Sequence, residues 1–428
     1  MEQDARRNFR WNFFFITADA AAFIGGMAFF DPTAVLPIFI STLTDSTLVI
    51  GALITIQRAG WLLPQLFAAS FLQHRPSKKP FLLLTATLGR LPFIGLALLT
   101  YYYAADNPAL VLGGLILAFT IFWSTDGMSC LAWNDIIAKA VPANFRGRLF
   151  GAQQFIGAAI AIIAGLVVKQ VLEGKGLAYP VNYALLCGIL FAFMMLSSFF
   201  LALIREPIHS VAEEPQSVAQ LLRLIPGALR ERYDFRRMII TQLLIGIVAI
   251  AAPFYAVYAE RSLGAPAWAS GIFIWGGTAG GIMGSIVWAY LNDRHGSTWV
   301  IRSVCLLGIL APAVAIAVPL VGLSAPLVYY AYALVFAMTA AAGGGHWIGF
   351  TNYLMEVVRD EERPIYLGIT PTICAPVILS PLLGGWLLNF FSYQTVFVVA
   401  GLGGLLALLS ARSLPEPRHK LLLAEVVE

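Results

Sequence analysis

The chain has 428 residues, a formal net charge of +4, 59% hydrophobic residues and only 12% charged ones. A water-soluble domain is about 25% charged, so this composition excludes a soluble globule, and 13% aromatic residues exclude a disordered chain. Most of the surface must face lipid.

A helix that crosses a bilayer needs about 20 largely apolar residues. The first such run covers 13–40, behind Arg6, Arg7 and Arg10. It is far longer than the apolar core of a cleaved signal and lacks a small-residue cleavage pattern, so it reads as a span. It carries Asp19 and Asp31, and the Asp31-Pro32 step predicts a bend. The second run, 47–72, holds Arg58, and the third, 81–104, holds Arg90. The fourth, 108–134, holds Asp126 and Trp123. Runs at 150–170 and 180–204 complete a first six. The polar stretch 205–237 follows, with Leu221, Leu222, Ile225 and Leu229 at helical spacing. It predicts a short amphipathic helix at the membrane surface. Runs at 238–259, 266–291, 299–321, 325–355, 367–391 and 394–411 form a second six. No acid or base lies as deep in these; their deepest polar groups are Gln242, His346 and Asn352. Pro371, Pro376 and Pro381 predict a bend in the eleventh run.

With twelve spans, 22 of the 27 basic residues fall on the side of the two termini, three on the other, and Arg58 and Arg90 within spans. Basic loops stay in the cytoplasm, which predicts cytoplasmic termini and a plasma (inner) membrane location. The basic excess then needs no nucleic-acid partner. Cys130, Cys187, Cys305 and Cys374 all fall within spans without paired metal spacing and read as buried small apolar residues. No HExxH, GxSxG or P-loop pattern occurs, so no metal site, cofactor or enzymatic activity is expected.

The two sets of six repeat each other. SFLQHRPSKK (70–79) aligns with AYLNDRHGST (289–298), pairing Arg75 with Arg294 at an offset of 219. VPANFRGRLFG (141–151) aligns with VRDEERPIYLG (358–368), pairing Arg146 with Arg363 at an offset of 217. Two nearly equal offsets at equivalent loops predict a duplicated six-helix unit. The domains are then 1–204, a linker at 205–237, and 238–428.

These features resemble the major facilitator superfamily of transporters, with the subfamily left open. The family pattern G-x-L-x-D-R-x-G-R/K is met by Leu291, Asp293, Arg294 and Gly296, with Ala289 replacing the first glycine and Ser297 the last base. The first-half copy keeps Arg75, Lys78 and Lys79, but Ser70, His74 and Ser77 replace the glycines and the acid. Arg146, Gly147, Arg148 and Gly151 match a second family pattern. The proline-glycine pattern of the drug/proton antiporters is absent from the fifth run. The resemblance implies an all-α fold of two six-helix bundles related by a pseudo-two-fold axis, working by alternating access. It implies a cytoplasmic latch at Asp293, Arg294 and Gly296, with Arg75, Arg146, Arg148 and Arg363 at equivalent loops.

A charge at the bilayer centre costs roughly 2.5–3.5 kcal/mol or more, so one that persists has a partner or lines a cavity. Depth at 1.5 Å per residue predicts two layers: Asp31 with Arg58, and Arg90 with Asp126 or Asp19. Each could be a static ion pair or could bind a proton or polar substrate. Asp31, Arg58, Asp126, Asp19 and Arg90 are therefore candidates, with His346 and Trp123 beside them. Phe29, Phe30, Trp275 and Trp347 could stack on a planar solute. The expected function is a monomeric, proton-coupled secondary transporter of a small solute in the lipid bilayer. The alternatives are a facilitative carrier or exchanger, or a transport-dead receptor on the same fold. Acids, bases and aromatics point to different substrates, so none is named.

Overall fold

A computed structural model describes residues 2–72, 75–173, 177–207, 218–358 and 362–416. His74, Lys175, Arg359, Arg418, Lys420 and the linker residues 208–217 lie outside the described residues, as do the side chains of Ser70, Leu221 and Leu222. The described chain is helical, without strands. Twelve helices are long and apolar enough to cross a membrane. Spans one to six are Asn8–Phe29, Thr47–Gln65, Lys79–Tyr103, Pro108–Ala140, Phe145–Leu172 and Val181–Leu203. Spans seven to twelve are Tyr233–Leu263, Ala269–His295, Ser297–Val321, Leu327–Val357, Ile365–Leu387 and Tyr393–Arg412. The chain is a multi-pass membrane protein.

The bends fall at the prolines. Span one stops at Phe29, and after a turn through Asp31-Pro32 a separate helix runs Val35–Leu43. Span eleven passes through a 3₁₀ segment, Ala375–Leu379, between its prolines.

The chain divides into two compact units, Met1–Pro215 with Pro266–Ile274, and Gln216–Ala265 with Trp275–Glu428. In the first unit span one packs on spans five and six, span two on span four, and span three on spans four and six. In the second, span seven packs on eleven and twelve, and nine on ten and twelve; glycines of span eight meet span ten. The same pairings recur six spans later. Close approach is made by glycine: a Cβ on Gly127 would stand 2.1 Å from the Trp61 carbonyl oxygen, and one on Gly280 would stand 2.2 Å from that of Ala337. Small residues at such crossings let helix backbones touch where lipid supplies no hydrophobic drive.

The linker is not an independent segment. Its helix, Val218–Glu231, turns Ile225, Ala228 and Leu229 into the apolar core of the second unit. The amphipathic pattern is real, but that part of its apolar face is covered by protein. Glu206, at the linker's other end, belongs to the first unit. Its carboxylate accepts from the backbone N–H groups of Lys78 (2.8 Å) and Lys79 (2.9 Å) and from Ser77 Oγ (2.7 Å). Lys139 Nζ lies 3.6 Å away. One residue thus ties the start of span three and the end of span four to the end of span six. The second unit has a counterpart that the loop alignments above do not include. Arg205-Glu206-Pro207 is echoed by Pro415-Glu416-Pro417, at an offset of 210. The Glu416 carboxylate fills the place of a Cβ on Gly296, 2.2 Å from where that atom would be. Gly296 also has φ +89°, so glycine is required there for both conformation and space.

Burial alone would raise the Glu206 pKa, but the Lys78 N–H, Ser77 Oγ, Lys79 N–H and Lys139 outweigh it and hold the carboxyl below the usual range. A depressed folded value stabilises the fold at every pH above the unfolded value of about 4.3, and that stabilisation is lost as pH falls through the folded value. Glu206→Gln is expected to lower the thermal unfolding temperature in detergent at neutral pH, with the gap from wild type closing below about pH 4. A gap that is the same at both pH values would contradict this role.

Candidate functional site

Within the first unit, spans one to six enclose a cavity of about 300 Å³. Asp19 and Phe23 reach it from span one, Trp61 from span two and Arg90 from span three. Span four contributes Asp126, Ser129, Cys130 and Trp133, a stripe at helical spacing, and span five contributes Phe150, Gln153 and Gln154. Span three comes close enough because Gly89 precedes Arg90: a Cβ on Gly89 would lie 1.8 Å from Thr125 Oγ1. A hydrogen bond of 2.7 Å between Thr85 and Ser129 also joins spans three and four.

Asp19 and Arg90 are each only 4% exposed. The Asp19 carboxylate accepts from Trp133 Nε1 at 2.9 Å and from Ser197 Oγ. Arg90 donates through one terminal nitrogen to Ser198 Oγ at 2.5 Å and to the Met194 carbonyl at 3.2 Å. It lies within electrostatic reach of both Asp19 and Asp126. Asp126 repels Asp19 and has no hydrogen-bond or ion-pair partner among the described residues. The site therefore holds one engaged carboxylate, one unengaged carboxylate and one shared guanidinium. No group of three His, Cys, Asp or Glu side chains able to hold a metal ion occurs among the described residues.

The inner charge layer expected from the sequence is thus a real cluster. The outer one is not. Asp31 Oδ1 accepts from Thr33 N (2.8 Å), Thr33 Oγ1 (2.7 Å) and Ala34 N (2.8 Å), which caps the Val35–Leu43 helix. Arg58 makes no ion pair with it or with any described residue. Rise per residue misplaces Asp31 because it assumes one continuous helix where the helix in fact ends. Trp123 is outside the cavity lining. Its Cβ packs 3.1 Å from where a Cβ on Gly60 would be, and its buried indole N–H has no hydrogen-bond partner among the described residues. Phe29 and Phe30 are core side chains packed on Phe193 and Phe39. His346 belongs to the second unit, with its Nε2 at 3.4 Å from Gln242 Nε2 and its ring on Phe350; Trp347 is exposed.

At the loop positions, Asp293 and Arg294 are exposed, with Arg294 over the Tyr290 ring at 5.3 Å. Arg75 stacks on Phe71 at 3.9 Å and Arg148 on Phe145 at 5.3 Å. Arg146 donates to the carbonyls of Ala138 (2.8 Å) and Val141 (3.1 Å), and Arg363 donates to that of Met355 (2.7 Å and 3.0 Å). Ala138 and Met355 are themselves 217 apart, so the paired arginines cap the ends of spans four and ten in the same way.

Trp133, Ser197, Ser198, Gln153 and Gln154 are site residues that the sequence did not single out. The available signals were Trp133 seven residues after Asp126, on the same helix face, and the Ser197-Ser198 pair in an apolar span.

The sequence model described as Major Facilitator Superfamily matches residues 177–375. The fold is that of the Major Facilitator Superfamily. The nucleoside transporter NupG, in a point-mutant form, superposes with a TM-score of 0.70 at 16% identity, over 94% of this chain and 99% of that one. A bacterial homologue of the iron transporter ferroportin gives 0.67 at 12%, over 95% and 98%. A D-xylose–proton symporter gives 0.63 at 17%, over 94% and 98%. By sequence, uncharacterized proteins of Mycobacterium bovis and Mycobacterium tuberculosis are 24% identical over 294 residues, 67% of this chain and 55% of theirs. The chain spans little more than half the length of these relatives. The superfamily match falls on 177–375, whereas the charged cavity is built from the spans before it and the first span it covers.

Removing a buried hydrogen-bond partner costs about 1–3 kcal/mol, more when it is charged. Asp19→Asn is therefore expected to lower the unfolding temperature clearly, and Asp126→Asn to leave it near wild type, because Asp126 bonds to no described residue. Equal loss in both variants, measured by thermal unfolding in detergent, would contradict the assignment of Asp19 as the engaged carboxylate.

Proposed function

We propose that the chain is a secondary active transporter that moves a small solute across the membrane by alternating access, coupled to protons. The observation that carries this reading is Asp126: a carboxylate in a cavity among membrane-spanning helices, beside Arg90 and Asp19, with no hydrogen-bond partner among the described residues. Such a group costs free energy unless something is bound to it. A proton on Asp126 leaves Asp19 and Arg90 as a balanced pair. Its departure leaves one unmatched negative charge. A cavity whose charge changes by one unit with each proton is a coupling device, provided the site faces each side of the membrane in turn.

The fold supports the same reading, since it is shared with a nucleoside transporter and a D-xylose–proton symporter. Asp293 and Arg294, with Gly296 supplying the turn that follows them, serve as the cytoplasmic latch, the acid and base exchanging charge-assisted hydrogen bonds between states. The 22 basic residues on one side support cytoplasmic termini and an inner-membrane location. The working unit is a monomer, without cofactor, and performs no covalent chemistry.

A solute that binds the folded state raises its apparent stability, so a thermal-shift screen identifies cargo to load into proteoliposomes. Flux of that cargo is expected to follow an imposed pH gradient in wild type and to lose this dependence in Asp126→Asn. Flux indifferent to the gradient in wild type would replace the proton-coupled reading with a facilitative carrier.

A further inference from the structure

The cavity's charges and walls narrow the cargo, given the transporter reading above. Asp19 and Asp126 face one Arg90, so the cavity carries one excess negative charge when both acids are ionised. The groups around Asp126 are all accounted for: Asp19 from span one, Arg90 from span three, Cys130 on its own helix, and uncharged Trp61, Gln153 and Gln154 from spans two and five. An anion entering here would add a second unmatched negative charge. Arg90, whose Nη1 donates to Ser198 and Met194, supplies a single positive charge, already offset by Asp19. A cation would cancel the excess. Asp126 is the acceptor left open for it, and the cavity is also lined by the rings of Trp61 and Phe150, whose type attracts a desolvated cation; the Phe23 ring already lies under Arg90 at 5.9 Å. A cavity of about 300 Å³ is at the small end of ligand pockets.

We infer that the cargo is a small organic cation with an apolar body, and that it and the proton occupy Asp126 in turn. One carboxylate holds one positive charge, so cargo binding expels the proton and proton binding expels the cargo. Cation and proton then move in opposite directions.

The test uses the full-length protein in detergent with phenyltrimethylammonium as the probe, tert-butylbenzene as its uncharged isostere and benzenesulfonate as an anion of similar size. Binding of phenyltrimethylammonium is expected to tighten as pH rises and to acidify an unbuffered solution. It should weaken about tenfold or more in Asp126→Asn and persist in Asp126→Glu, which keeps the charge if the asparagine variant proves unstable. Equal or tighter binding of the uncharged or anionic probe overturns the inference, as does cation binding that ignores pH or survives Asp126→Asn unchanged. Gradient-dependent flux of some other solute without any cation binding overturns this inference alone and leaves proton-coupled transport standing. Absence of both overturns the transporter reading as well.

Discussion

Arg90, buried within electrostatic reach of two carboxylates inside a lipid-facing unit, is the constraint around which the first six spans are arranged. In hydrocarbon an uncompensated charge is costly, and two acids with one base cannot all be compensated internally. The unit settles the conflict unevenly. Asp19 is satisfied by Trp133 and Ser197, Arg90 by Ser198 and Met194, and Asp126 by no described residue. Gly89 brings span three against Thr125 and Gly127 brings span four against Trp61, so the small residues of the helix crossings are what hold the three charges within reach of one another.

The second unit repeats the scaffold without the chemistry. Its span pairings match those of the first, and Arg363 caps span ten as Arg146 caps span four. Glu416 sits against Gly296, but its two buried carboxylate oxygens accept no hydrogen bond from a described residue, unlike those of Glu206 at the start of span three. What differs is the interior, where Gln242 and His346 stand in place of an acid–base cluster. Duplication preserved the arginines that end spans four and ten, while among the described residues the acid–base cluster belongs to the first unit. The capping arginines also show that a loop residue suited to a latch can end a helix as well. Each reaches back eight residues to a carbonyl that its own helix leaves unpaired.

The spans, their count and the repeat were legible in the sequence because apolar run length and offset are one-dimensional quantities. The inner charge cluster was legible because spans one, three and four run unbroken from their inner ends as far as Asp19, Arg90 and Asp126, span three breaking only after Arg90, so rise per residue converts number into depth. The same ruler misplaced Asp31, since the helix breaks there and the carboxylate turns to Thr33 and Ala34. Trp133 and Ser197 left only weak signals, for a different reason. Each is uncharged, and each acts across 114 or 178 residues on Asp19, a contact set by helix rotation that no local pattern records. Glu206 looked like mere loop charge, although the run Arg-Glu-Pro and its echo at Pro415–Pro417 carried the signal.

The first unit's cavity carries a net negative charge when Asp19 and Asp126 are both ionised, and as a transport site it must be reached from water. Cys130 lines it, while Cys187 and Cys305 are buried. The most direct measurement is the rate at which water-soluble methanethiosulfonates modify Cys130 in a variant keeping it as the single cysteine. A cationic reagent should react faster than an anionic one of similar size, because a charged cleft concentrates opposite charge. Asp126→Asn should shrink that ratio. Modification that is absent, or equally fast with either reagent, would contradict the account.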